Sequence, residues 1–156
     1  MTVEYLSGPK QLEVGSTKHA LVWHFVAIIV GGLFVYAGIL KALDPVRFAG
    51  DIENFHIIPW PIGVRLAFYL PWLEILCGIG LFVRQLRTGA LAILTALTTI
   101  FIVASIAAKA RGIDVTCGCF GAVSKGMPFS VHLALDFAIL AALVWLWRTQ
   151  RPLTNP

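Results

Sequence analysis

Four stretches of this chain are long, apolar and nearly free of charge, and no other feature limits its fold as strongly. They run from about His19 to Leu43, Ile62 to Val83, Thr88 to Ala108 and Val131 to Trp147. A helix needs roughly 20 apolar residues to cross about 30 Å of hydrocarbon. The first stretch is uncharged between Lys18 and Lys41, and the third carries no charge at all. Glu74 interrupts the second, and the short fourth carries His132 and Asp136. Of 156 residues, 58% are hydrophobic and 13% charged, with a mean hydropathy of +0.84, whereas a soluble domain has about 25% charged residues. A chain of this size cannot hide so much apolar surface from water by folding on itself, so lipid must cover it. The expected fold is an all-α, polytopic membrane four-helix bundle, with residues 1–156 as one domain.

The remaining composition agrees with that frame. A net charge of +4 invites a nucleic-acid reading, but the basic residues stand singly or in pairs at segment ends and form no stripe. No nucleic-acid partner is expected; the partner that the composition demands is the lipid bilayer. The first eighteen residues are mostly polar, and the apolar run after them is too long for a signal-peptide core. It is therefore expected to remain as the first crossing. Trp23, Trp60, Trp145 and Trp147 fall at segment ends, where amphipathic rings favour the headgroup level. Pro71 lies inside the second segment and should kink it. Gly31, Gly32, Gly38, Gly78 and Gly80 point to close helix packing in the first two segments.

An even number of crossings places both termini on one side. Lys10, Lys18, Arg84, Arg87, Arg148 and Arg151 would share that side, which the positive-inside rule makes cytoplasmic. Arg47, Lys109, Arg111 and Lys125 lie opposite, with Lys41 and Arg65 near them, so the count is nearly balanced. The Arg-bearing hairpin 84–87 and tail, set against acids in the other loops, favour this orientation. In the first outer loop, Asp44 and Pro45 read as N-cap and first residue of a short helix. Phe48, Ile52 and Phe55 recur at helical spacing after them, so this helix should lie in the interface plane. Ser130 is placed to cap the fourth crossing.

The second outer loop contains Cys117-Gly118-Cys119-Phe120-Gly121. Two cysteines separated by one residue can bridge only if the backbone bends sharply, which Gly118 permits. So small a ring should be strained and easily reduced, favouring an exchanging redox pair. A passive bridge or a turn with two buried thiols also fits. Metal binding fits less well, because zinc wants four ligands and there is no second cysteine pair. Lys109, Arg111 and Lys125 would lower a thiol pKa if the fold brought them close. Cys77, one turn after Glu74 in the second segment, reads as a packing residue.

Ionisable groups within a membrane are costly and mark function or fixed packing. Glu74 lies about 18 Å into its helix, near the midplane. Lys41 sits at the outer end of the first segment, and Asp136 near the outer end of the fourth, one turn after His132. Depth therefore pairs Lys41 with Asp136. His132 could shuttle protons near neutral pH or simply sit at the interface.

Taken in order, Tyr36-x-Gly38-x-x-Lys41-x-x-Asp44-Pro45, the Phe55 to Pro61 stretch, Pro71-x-x-Glu74-x-x-x-Gly78 and Cys117-Gly-Cys-Phe-Gly121 resemble the MauE/DoxX-like family, and within it the MauE type. The resemblance spans nearly the whole chain from the first crossing to the fourth. It implies a four-helix protein of the bacterial inner (plasma) membrane, associated with redox maturation of extracytoplasmic proteins. In methylamine-utilising bacteria, it implies maturation of the disulfide-rich small subunit of methylamine dehydrogenase. Cys117 and Cys119 match the cysteine motif; Lys41, Asp44, Glu74 and Gly121 match pattern positions to which no role attaches.

Three functions follow as expectations. The first is thiol–disulfide exchange at the outer face, in which Cys117 and Cys119 engage a periplasmic thioredoxin-like or disulfide-containing protein and electrons pass onward, with a membrane quinone as the candidate acceptor. Enzymes that relay electrons this way use two cysteine pairs, and this chain has one. The second is a non-enzymatic scaffold for a maturation complex. The third, a small proton-coupled transporter using Glu74 and Asp136, lacks an internal repeat.

Overall fold

The computed structural model describes residues 10–112 and 129–150, with the backbone alone for 10–20. It contains five helices among these residues: α1 (Lys10–Leu43), α2 (Pro45–Glu53), α3 (Trp60–Gly80), α4 (Arg87–Ala110) and α5 (Phe129–Thr149). All but α2 are long and apolar enough to cross a membrane, α1 through its Leu21–Leu43 portion. The expected polytopic bundle is therefore the observed one. α1 begins at Lys10, well before the expected His19, while the other helix ends differ from the expected segments by a few residues, as they usually do. Two differences matter. α3 stops at Gly80, so residues 81–83 belong to the turn before α4. Ser130, expected as a cap, lies inside the first turn of α5.

The four long helices pack in a closed ring, α1 on α3, α3 on α4, α4 on α5 and α5 on α1. The α1–α3 seam is the most intimate, and glycine is the reason. A Cβ on Gly31 would stand 2.8 Å from the carbonyl oxygen of Gly78, and one on Gly78 would stand 2.8 Å from that of Gly31. One on Gly38 would come 2.8 Å from the Pro71 carbonyl oxygen and 2.7 Å from Ile75. Between apolar helices in lipid, association rests on such close backbone approach. Gly32 takes no part, for it faces open space. Pro71 is buried within a helix that continues from Trp60 to Gly80.

α2 begins as the sequence predicts. Asp44 Oδ1 accepts a hydrogen bond from the Arg47 amide at 3.0 Å, and Pro45 occupies the first turn. Phe48 and Ala49 are buried with Ala67 of α3, and Ile52, Leu70 and Phe101 pack on them. The short helix is thus folded onto the bundle end. Its apolar face points at other helices.

The interior divides along its length. At the end opposite α2, Trp23, Ala27, Val30, Cys77, Leu81, Ala90, Leu91, Leu94, Leu143 and Leu146 form one apolar cluster. Trp23 is a correction to the headgroup expectation: only 6% exposed, it is a core residue. Its Nε1 donates to the Leu146 carbonyl at 3.2 Å, and the Arg87 guanidinium lies 4.0 Å from its ring centre. This ties α1, α4 and α5 together beside the hairpin. Toward the α2 end the buried residues become polar: Lys41, Glu74, Thr98, Ser105, His132 and Asp136. The outward surface is mostly apolar, with Phe25, Tyr69, Leu76, Ile100 and Val103 all exposed.

Candidate functional site

The polar half is organised around Lys41. Its ammonium donates to Glu74 Oε1 at 2.6 Å and Oε2 at 2.8 Å, with side-chain exposures of 4% and 2%. The pairing of Lys41 with Asp136 is thereby corrected: the ion pair is made with Glu74. Depth judged from helix ends misled, because the α1–α3 register was not visible in it. Gly31 meets Gly78 and Gly38 meets Pro71, so Lys41 stands about one turn above Glu74. A lysine stem spans that distance readily by bending inward.

Two aromatic rings complete the lysine's surroundings. Phe48 of α2 and Phe101 of α4 place their ring centres 5.2 and 5.0 Å from Nζ. Both lie within cation–π reach. Together they close the site toward the α2 end. Below them is a cavity of about 40 Å3 lined by Lys41, Glu74, Thr98, Asp136, Phe34 and Ile139, among others. Its volume suits a few waters at about 10–15 Å3 each. Thr98 donates its own hydroxyl to the Leu94 carbonyl at 2.8 Å.

α5 contributes the remaining polar groups. His132 and Asp136 are one turn apart and both buried. Asp136 lines the cavity; His132 stands one turn nearer the α2 end. His132 is therefore an interior residue and not an interfacial one. Ser105 of α4 is buried at about the same level, as contacts at the two ends of the α4–α5 seam indicate. These are Thr88 with Gln150, and Lys109 over the ring of Phe129.

Of the sequence-derived site residues, the fold thus gathers Lys41, Glu74, Asp136 and His132 in one region. Gly38 and Asp44 serve the frame, as seam contact and helix cap. Tyr36 is 49% exposed on the outer surface of α1, away from the site. Cys77 is buried in the apolar cluster, in keeping with packing. Cys117, Gly118, Cys119, Gly121 and Lys125 lie outside the described residues. The segment that contains them joins the end of α4 to the start of α5, both at the α2 end. There Arg111 donates to the His56 carbonyl at 3.4 Å.

Sequence reasoning missed Thr98, Ser105 and Phe101. A signal for the first two existed: both continue the buried α4 stripe of Leu91, Leu94 and Ile102 at heptad spacing. Phe101 gives no such signal, because another aromatic on an apolar helix looks like any other.

A closed four-helix bundle whose interior is apolar at one end and charged at the other defines a small multi-pass membrane protein with a buried polar site. The chain belongs to the MauE family: the family model described as "Methylamine utilisation protein MauE" matches residues 18–148. It is also similar to "Methylamine utilization protein MauE" of Methylophilus methylotrophus, with 32% identity over 96 residues. That alignment takes in 61% of this chain and 50% of the relative, so the chain spans about half the length of the curated relative it matches. No solved structure matches the chain.

Proposed function

We propose that this protein is a redox-associated maturation factor that performs thiol–disulfide exchange through Cys117 and Cys119 at the outer face of a bacterial inner membrane. The observation that carries this reading is a coincidence of place. The Cys-Gly-Cys segment is tethered at both ends to the bundle end where the interior turns polar and α2 lies across it. The similarity to a methylamine utilisation protein supports maturation of methylamine dehydrogenase, through its disulfide-rich small subunit, as the setting. The distribution of Arg and Lys supports cytoplasmic termini.

The exchange balances as follows. A thiolate of a partner dithiol attacks one sulfur of a Cys117–Cys119 disulfide; that bond breaks and the other cysteine leaves as thiolate. The partner's second thiol then displaces the mixed disulfide. The partner gains a disulfide, and its two electrons reside on the reduced cysteine pair. With a partner disulfide and a reduced pair, the same steps run backwards. No step here depends on a quinone.

The test replaces Cys117 and Cys119 by serine, singly and together. In a single variant the remaining thiolate can attack a disulfide of an extracytoplasmic partner, releasing one partner thiolate. With no second cysteine to resolve it, the mixed disulfide is expected to persist as a band that reductant removes. The double variant should lose both the band and maturation. Normal maturation in the double variant would end the redox role and leave docking of a maturation complex as the function. Labelling of the cysteines in intact, pre-reduced cells by a membrane-impermeant maleimide is expected; labelling only after lysis would reverse the orientation.

A further inference from the structure

We propose that the turn joining α3 to α4 is a binding site for an anionic phospholipid, whose headgroup phosphate is taken by Arg87 with Arg84 and Arg148 beside it. Arg87 is held on two sides. Its guanidinium lies 4.0 Å from the centre of the buried Trp23 ring, and its Nε donates to the Leu81 carbonyl at 3.3 Å. The terminal amino groups of the fork make no hydrogen bond among the described residues. A guanidinium fixed in this way is already shaped for two oxygens of a phosphate. The first turn of α4 adds to it. Leu86 gives that helix no side-chain cap, and the amides of Thr88 and Gly89 meet no acceptor among the described residues. Gly89 faces open space, so an anion has room to approach the positive end of the helix. Arg84 is exposed in the same turn and repels Arg87. Arg148 is exposed in the last turn of α5, whose end is joined to α4 by the Thr88 hydroxyl on Gln150 at 3.4 Å.

The charge calls for an anion. Among the described residues, none of Arg84, Arg87 and Arg148 is ion-paired with a carboxylate. The described acids outside the core, Asp44, Asp51 and Glu53, belong to α2 at the opposite end of the bundle. The segments that adjoin this end in sequence bring acids as well as bases, and the balance survives them. Lys10, Lys18, Arg84, Arg87, Arg148 and Arg151 are six basic residues against two acidic ones, Glu4 and Glu13. The apolar surroundings call for a lipid. Phe82, Val83 and Leu86 are exposed in the turn that holds Arg84, and Trp147 is exposed next to Arg148. A free anion gains nothing from such a surface, whereas a phospholipid lays its acyl chains against it. Depth agrees, because the membrane-crossing part of α4 begins at Arg87 and that of α1 at Leu21, two residues before Trp23. The stacked pair therefore stands at the hydrocarbon edge, where headgroup phosphates lie. This site needs nothing from the cysteines and is independent of their chemistry.

Full-length protein in detergent is titrated with phosphatidylglycerol or with phosphatidylcholine of the same acyl chains, and bound lipid is counted by native mass spectrometry. Phosphatidylglycerol is expected to bind the more tightly. The double variant Arg84→Gln with Arg148→Gln should weaken it by about fivefold for each charge removed. Arg87→Lys keeps the charge but neither the fork nor the Nε bond, so it should fall between wild type and Arg87→Gln. Arg47→Gln removes an exposed charge at the other end and should bind as wild type does. Equal retention of the two lipids would overturn the proposal, as would unchanged binding in the Arg84 and Arg148 double variant. An equal loss in Arg47→Gln would reduce the effect to overall charge and overturn the site. Displacement of the lipid by millimolar inorganic phosphate would make the occupant a free anion and overturn the lipid. If the Arg87 variants fail to fold, the exposed Arg84 and Arg148 variants still decide.

Discussion

Lys41 carries a full charge into a region walled by hydrocarbon, and three groups meet it there: the Glu74 carboxylate and the rings of Phe48 and Phe101. Removing one partner of such a pair leaves the other buried and alone. Lys41→Met or Glu74→Gln alone is therefore expected to cost about 3–5 kcal/mol, and the two together far less. Unfolding by graded detergent denaturation measures all three variants; equal losses in single and double variants would show that the pair is not the unit of stability. The pairing was only half legible in the sequence. Charged residues in apolar segments announce themselves, so Lys41, Glu74, His132 and Asp136 were all found. Which of them touch depends on how far one helix slides along another. That is fixed by the Gly31–Gly78 and Gly38–Pro71 contacts, a relation between distant residues that no single segment encodes. Trp23 shows the same limit: position at a segment end was visible, but not which way its ring faced.

At the scale of elements, the α1–α3 seam distinguishes glycines that matter from those that do not. Alanine at Gly78 would place a methyl 2.8 Å from the Gly31 carbonyl oxygen and 2.8 Å from Val35. Backbone must then move, and a loss of roughly 1–3 kcal/mol is expected. Alanine at Gly32 meets nothing within 4 Å and should be neutral, or stabilising by up to ~1 kcal/mol through helix propensity. The same denaturation assay separates them; similar behaviour would argue against a tight seam. The crossings themselves were easily read, because each is long enough to be identified by apolar length alone. α2 was read from its cap and its Phe48, Ile52 and Phe55 spacing. What spacing could not supply was the surface that receives this face, which is α3 beside Lys41.

For the molecule as a whole, the division of the interior is the main result. Polar groups occupy the α2 end, and five leucines, Leu81, Leu91, Leu94, Leu143 and Leu146, are completely buried at the other. Vesicles containing the reconstituted protein should accordingly hold a proton gradient as long as protein-free vesicles do. Faster collapse, measured with an entrapped pH dye, would reveal a polar route through the bundle. The leucine floor also has a consequence for bioenergetics. Among the described residues no buried charged side chain continues past this floor, so an ion in the polar half has no polar path to the opposite face and the membrane potential can do no net work on it. Whatever chemistry this interior serves is coupled to one compartment only, and its direction is set by the reactants on that side.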